Sequence, residues 1–238
     1  MAYLFMSALL ALLGQSTLPA VQQRSFRVPA GPILLYGIST PAVNDAQQPR
    51  PLVLVLHPSR PSGKYYYGAT VMKQIFSPAL NDLNAIMVAP DCPGRDWTDP
   101  TAERSLVALV QSLLKEYSID RHRILVTGYS MGGQGAWFME SRHSDLFTAA
   151  IVIAGSTSDE PLDHLATIPT YVIHSRDDQV VPFEPAERTV RELEMMGREI
   201  KFDALEGPGH YDMGSYIGAI KRAEQWVTEH WANQTGSR

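Results

Sequence analysis

Residues 124–133 read ILVTGYSMGG: an apolar, β-rich run, a Gly-Tyr-Ser-Met-Gly turn, and the opening of an amphipathic stretch. A serine on a sharp strand-to-helix turn has its hydroxyl pushed clear of the sheet. Such a turn crowds the backbone, so the residues two before and two after the serine must be small. Here they are Gly128 and Gly132. A helix opening at Met131 would set free N–H groups and a positive dipole end beneath the serine. Ser130 is the candidate nucleophile. A glycine-rich turn serving only close packing is the competing reading.

In both directions from this turn, apolar runs alternate with amphipathic ones. Ile33–Ile38 reads as an early strand. Leu52–His57, Ala85–Ala89, Ala149–Ala154 and Thr170–His174 are near-continuous apolar runs, as expected of strands buried on both faces, and Glu199–Leu205 closes the set. Helical patterns lie between them, over Val71–Leu83, Ala102–Tyr117, Met131–Ser141, Pro185–Met196 and Ser215–Trp231. The alternation predicts an α/β fold: a doubly wound, mostly parallel sheet with helices on both faces. Sites in such sheets form at the carboxyl ends of the strands.

A serine hydroxyl needs a base. His210 stands in Glu206-Gly207-Pro208-Gly209-His210, a flexible loop straight after the last strand. His122, His143, His164 and His230 lie among polar residues on or near helices and read as solvated surface. His174 reads as a packed strand-end residue. The third group should be a carboxylate after a strand between serine and histidine. Asp177 and Asp178 compete; Asp178 is preferred because it precedes Val180-Val181-Pro182, which should anchor the loop. Its role would be to hold the imidazole tautomer and stabilise the imidazolium.

A tetrahedral intermediate needs N–H donors where negative charge develops. The backbone N–H of Met131 is one candidate. The other should come from the loop His57-Pro58-Ser59-Arg60. Pro58 has no N–H, so Ser59 leads and Arg60 follows. His57 either braces this loop or is a plain strand-end residue. Trp97 and Tyr66, the latter within Tyr65-Tyr66-Tyr67, are candidate substrate-binding residues on the pocket wall, while Trp137 reads as core.

The chain has 238 residues, 45% hydrophobic and 19% charged, which suits one globular domain over residues 21–238. A net charge of −5 gives no electrostatic footprint for nucleic acid. The lone cysteine, Cys92, allows no intramolecular disulfide and reads as an inert structural thiol. The apolar run Leu4–Leu13 is too short to span a bilayer comfortably and fits the core of a signal peptide over residues 1–20, though no positive charge precedes it. The expectation is a secreted or periplasmic protein with no stable membrane insertion after processing. An N-terminal helix packed on the body, in a cytoplasmic protein, is the alternative. No paired-cysteine motif and no histidine pair at i, i+4 spacing suggests a metal, no glycine-rich phosphate loop appears, and the chemistry needs no cofactor.

The chain order Ser130, Asp178, His210 is that of the α/β-hydrolases. The sequence resembles that superfamily along nearly its whole length after the leader. It is most similar to the small lidless esterases: the phospholipase/carboxylesterase, dienelactone-hydrolase-like and predicted-peptidase groups. The resemblance rests on Val55-Leu56-His57 with its Pro-Ser loop, Ala89-Pro90-Asp91-Cys92-Pro93, GYSMGG, Asp178 with Val180-Val181-Pro182, and Gly209-His210. Two departures stand out. The familiar His-Gly of the oxyanion loop is His57-Pro58 here. Dienelactone hydrolases carry a cysteine nucleophile, so Ser130 speaks against that specific reaction. Lids of this superfamily commonly enter after the strand that is here Ala149–Ala154. About fifteen residues separate it from the next strand, too few for a cap domain, so the resemblance implies an open site. It implies hydrolysis of a small-molecule carboxylic ester or thioester through an acyl-serine. A serine peptidase of the prolyl-oligopeptidase type and a non-catalytic binding domain of the same fold are the alternatives.

Overall fold

A computed structural model describes residues 18–41, 48–157 and 160–236. The leader expected over residues 1–20 lies, through residue 17, outside the described residues. Among the described residues, eight strands form one sheet: β1 (Val21–Arg27), β2 (Ile33–Ser39), β3 (Arg50–Leu56), β4 (Ile86–Pro90), β5 (Ile119–Tyr129), β6 (Ala149–Ile153), β7 (Thr170–Ser175) and β8 (Ile200–Leu205). Their order is β1-β2-β4-β3-β5-β6-β7-β8. β1/β2 and β2/β4 pair antiparallel; every later pair is parallel. This is the doubly wound α/β-hydrolase architecture.

Side-chain alternation along β3 divides the core. Leu52, Leu54 and Leu56 face one layer, with Ile124 and Val126 of β5. Val53 and Val55 face the other, with Leu125. All of these are at most 1% exposed. Burying one such side chain is worth roughly 1.5–3 kcal/mol, which is why strands covered on both faces dominate the centre. The first layer is closed by α3 (Pro100–Glu116), α4 (Met131–Arg142) and α5 (Phe183–Met195). α3 starts where Asp99 accepts the Thr101 N–H at 2.7 Å with Pro100 behind it, and buries Leu106, Leu109, Val110 and Leu113. The second layer is closed by α1 (Tyr67–Val71), α2 (Ser77–Ala79) and α6 (Ile217–Gly236).

Two elements differ from expectation. The single helix expected over Val71–Leu83 begins at Tyr67, passes through a π-helical turn at Met72–Phe76 and ends in a 3-10 turn at Asn81–Leu83. Pro78, at the start of α2, breaks its regularity. β1 was not expected at all. It is an edge strand, rich in Gln and Arg and largely exposed, so it lacks the apolar run that marks the inner strands.

β3 and β5 are neighbours, yet the chain leaves β3 toward β4 on one side and β5 toward β6 on the other. The crevice at the carboxyl ends of β3 and β5 is therefore the topological switch point, where ligands bind in open α/β sheets.

Candidate active site

Ser130 sits in that crevice, between β5 and α4, with φ 56° and ψ −118°. A non-glycine residue held in so sparse a region carries roughly 1–3 kcal/mol of strain. It persists because its surroundings fix it. The Ser130 N–H donates to Ile153 O at 2.9 Å, and the Ser130 carbonyl accepts from the Gln134 N–H at 3.0 Å. A Cβ on Gly128 would lie 2.1 Å from Gly132 O, and one on Gly132 would lie 2.0 Å from Leu56 O. The spacing of small residues read from the sequence is thus a direct steric requirement of this elbow.

The structure brings the three polar residues together. His210 Nε2 is 2.8 Å from Ser130 Oγ, and His210 Nδ1 is 2.7 Å from Asp178 Oδ2. Asp178 Oδ1 accepts the N–H groups of Val180 and Val181 at 2.9 and 2.8 Å, so the turn itself orients the carboxylate. His174 is fully buried, as a packed strand-end residue should be. Desolvation lowers its pKa, which keeps it neutral. Its Nε2–H donates to Val181 O at 2.9 Å and lies 3.6 Å from Asp178 Oδ2. Asp177, the competing carboxylate, turns away and accepts the Gly207 N–H at 2.6 Å.

Two further residues hold the histidine loop, and sequence reasoning found neither. Gln179 Oε1 accepts the His210 N–H at 3.1 Å, while the Tyr129 hydroxyl donates to the His210 carbonyl at 2.6 Å. The His210 backbone is gripped from the acid loop on one side and from the elbow on the other.

The loop after β3 forms the facing wall. His57 braces it: its Nε2 accepts the Cys92 N–H at 3.0 Å, its Nδ1–H donates to Pro58 O at 2.5 Å, and its carbonyl accepts Trp97 Nε1–H at 2.9 Å. Asp91 accepts the N–H groups of Tyr66 and Gly68 at 2.6 and 3.0 Å and pairs with Arg60 at 3.3 Å. Ser59 lines the cleft beside Ser130. Met131 is the first residue of α4, where backbone N–H groups lack intrahelical partners. The Ser59 hydroxyl lies 3.8 Å from Met131 Sδ, so the two loops meet at this point.

Two expected wall residues are corrected. Trp97 is fully buried and packs edge-on against His57 beneath the loop. Its Nε1–H needs a buried acceptor, which the His57 carbonyl supplies. Tyr66 adopts left-handed backbone, φ 53°, as the cap of α1, and its neighbour Tyr67 takes the place on the wall. Trp137 is core at 2% exposure. Cys92 is buried, and desolvation pushes its thiol up to about 11, which leaves it an inert thiol at neutral pH.

The resulting cleft has a volume of about 280 Å³ and is lined by Pro58, Ser59, Tyr67, Val180, Tyr211 and Met213 around Ser130 and His210. Among the described residues, no cluster of three or more His, Cys, Asp or Glu side chains could hold a metal ion. Among the same residues, no helix is long and apolar enough to cross a membrane.

The profile of the dienelactone hydrolase family matches residues 93–234. Comparison with curated proteins gives no match. Among solved structures, a thermostable esterase is 28% identical with a TM-score of 0.73, over 88% of this chain and 62% of its own. This chain therefore spans less than two thirds of that esterase. The substrate-bound fluorophosphonate-binding serine hydrolase F of Staphylococcus aureus is 13% identical with a TM-score of 0.73, over 88% of this chain and 98% of its own. An acylaminoacyl peptidase in complex with Z-Gly-Gly-Phe-chloromethyl ketone is 16% identical with a TM-score of 0.69, over 89% of this chain and 42% of its own. The last two likenesses speak to the fold alone.

Proposed function

This chain belongs to the dienelactone hydrolase family, and on that premise we propose that it hydrolyses carboxylic esters through an acyl-Ser130 intermediate. The observation that carries the reading is the unbroken relay from Ser130 Oγ through His210 to Asp178, with links of 2.8 and 2.7 Å.

In this reading Asp178 accepts the Nδ1–H of His210 and so leaves Nε2 free to act as base. Ser130 Oγ attacks the ester carbonyl carbon as its proton passes to Nε2. The carbonyl oxygen, now negative, is received by the backbone N–H of Met131 and by that of Ser59. Collapse of the intermediate breaks the bond to the alcohol oxygen, which leaves with the proton from His210. Water then attacks the acyl-serine with His210 again as base; the bond from the acyl carbon to Ser130 Oγ breaks, Oγ recovers the proton from His210, and the acid product departs. Stabilisation of the imidazolium by Asp178 makes both proton transfers easier without Asp178 itself taking a proton. Ser130 stands where dienelactone hydrolases carry cysteine, which speaks against the particular lactone that names the family and in favour of other carboxylic esters.

A matched substrate pair tests the bond cleaved. The purified protein should hydrolyse a p-nitrophenyl ester and leave the p-nitroanilide of the same acyl group intact. Preferential cleavage of the anilide would replace the esterase reading with the peptidase one.

A further inference from the structure

The cleft over Ser130 is walled by side chains without formal charge. Pro58, Ser59 and Tyr67 stand on the oxyanion side; Val180, Tyr211 and Met213 stand on the acid and histidine side. Arg60, the cation of the oxyanion loop, is committed to the buried Asp91 at 3.3 Å. A carboxylate entering this cleft would give up part of its water and, among the described lining residues, meet no lysine or arginine to receive it.

The same wall exposes apolar surface that the fold leaves uncovered. Tyr211 is 76% exposed and Val180 47% exposed. The Tyr211 ring stands 5.5 Å from the His210 ring and perpendicular to it, directly beside the group that would move the proton. An exposed aromatic in this position is free to pack against a substrate. A cavity of roughly 150 Å³ accommodates benzene. The 280 Å³ available here therefore has room for one ring and its carbonyl.

We propose that the cleft takes an uncharged acyl group about the size of one aromatic ring, rejects acyl groups ending in a carboxylate, and uses Tyr211 as a specificity-determining contact. The inference rests on the assignment of Ser130 as nucleophile given above.

The test holds the leaving group constant. The full chain is assayed with the p-nitrophenyl esters of acetic, phenylacetic and valeric acids and with the mono-ester of adipic acid. The adipate mono-ester should fall at least ~10-fold below the valerate in kcat/KM. Tyr211→Ala should raise KM for the phenylacetate ~5-fold, leave that for the acetate within about two-fold, and be rescued by Tyr211→Phe. Equal rates for valerate and adipate, or an equal effect of Tyr211→Ala on every ester, would overturn the proposal. Should no ester be turned over, p-nitrophenyl phosphonates bearing benzyl or carboxybutyl groups separate the two readings. They bond Ser130 Oγ to phosphorus with loss of p-nitrophenolate and require no deacylation. Faster labelling by the benzyl probe would keep this inference while the ester reading fell; equal labelling, or none, would end it.

Discussion

Tyr129 shows how much of the site depends on single side chains. Its hydroxyl is the tie between the elbow and the His210 carbonyl, at 2.6 Å. Tyr129→Phe removes that donor and leaves a buried acceptor unpaired, an effect of about 1–3 kcal/mol. We expect kcat for a p-nitrophenyl ester to fall ~10-fold with KM nearly unchanged, since the loss displaces the base rather than the substrate; an unaltered kcat would remove Tyr129 from the account. Gly132→Ala is expected to be more severe. Its new Cβ would meet Leu56 O at 2.0 Å, and neither backbone segment can retreat. Chemical denaturation should show a loss of ~3 kcal/mol or more, or no folded protein at all. Ser130, Asp178 and His210 were legible because each stands beside a local signal: two glycines, an apolar anchor, a glycine-flanked loop. Tyr129 and Gln179 were not legible, because nothing beside either of them in the chain marks the long-range bond it makes to the His210 backbone. The choice of Asp178 over Asp177 followed from Val180 and Val181, and it is their N–H groups that hold the Asp178 carboxylate.

At the scale of elements, the loop after β4 supports the loop after β3. Cys92, Trp97 and Asp91 all bond into the segment that carries Ser59 and the tyrosines. Sequence placed Trp97 at the correct edge of the sheet but on the wrong side of the loop. Position along the chain fixes which edge a residue occupies; only packing decides whether its ring faces solvent or His57. Trp97→Phe replaces the indole by a smaller phenyl ring, loses the hydrogen bond to the His57 carbonyl and leaves a void at a fully buried site. It should lower kcat severalfold and the melting temperature by several degrees; an unchanged kcat would show that this brace does not reach the chemistry. The other end of α4 carries Glu140, fully buried, with Oε1 accepting the Ala166 N–H at 2.8 Å and Oε2 without a hydrogen-bond partner among the described residues. Desolvation pushes its pKa up to about 8. In the unfolded chain a glutamate titrates near ~4.3. Between those values the folded protein holds a proton that the unfolded chain has lost, so this group's contribution to stability declines as pH rises and levels off above about 8. Glu140→Gln should therefore raise the melting temperature more at about pH 8.5 than at about pH 5. An equal change at both would show that Glu140 is not protonated in the folded state.

Across the whole molecule, the alternation of apolar strands with amphipathic helices was enough to read a doubly wound sheet, because its inner strands are buried on both faces and cannot disguise their composition. β1 escaped because an edge strand is under no such constraint. The broken helix from Tyr67 to Leu83 escaped because its apolar pattern is helical while its hydrogen bonding shifts from α to π to 3-10. Strand order places β3 and β5 side by side at the switch point, so one crevice receives the elbow and the oxyanion loop, and the long returns after β7 and β8 bring the acid and the base to it. Ser130 is the centre of this arrangement, and Ser130→Ala tests it most directly. Hydrolysis of p-nitrophenyl butyrate should be measured for the purified protein and for this variant, alongside circular dichroism to show that both are folded. The account predicts clear turnover by the parent chain and a loss of at least ~1000-fold in the folded variant. Turnover retained by folded Ser130→Ala would contradict it.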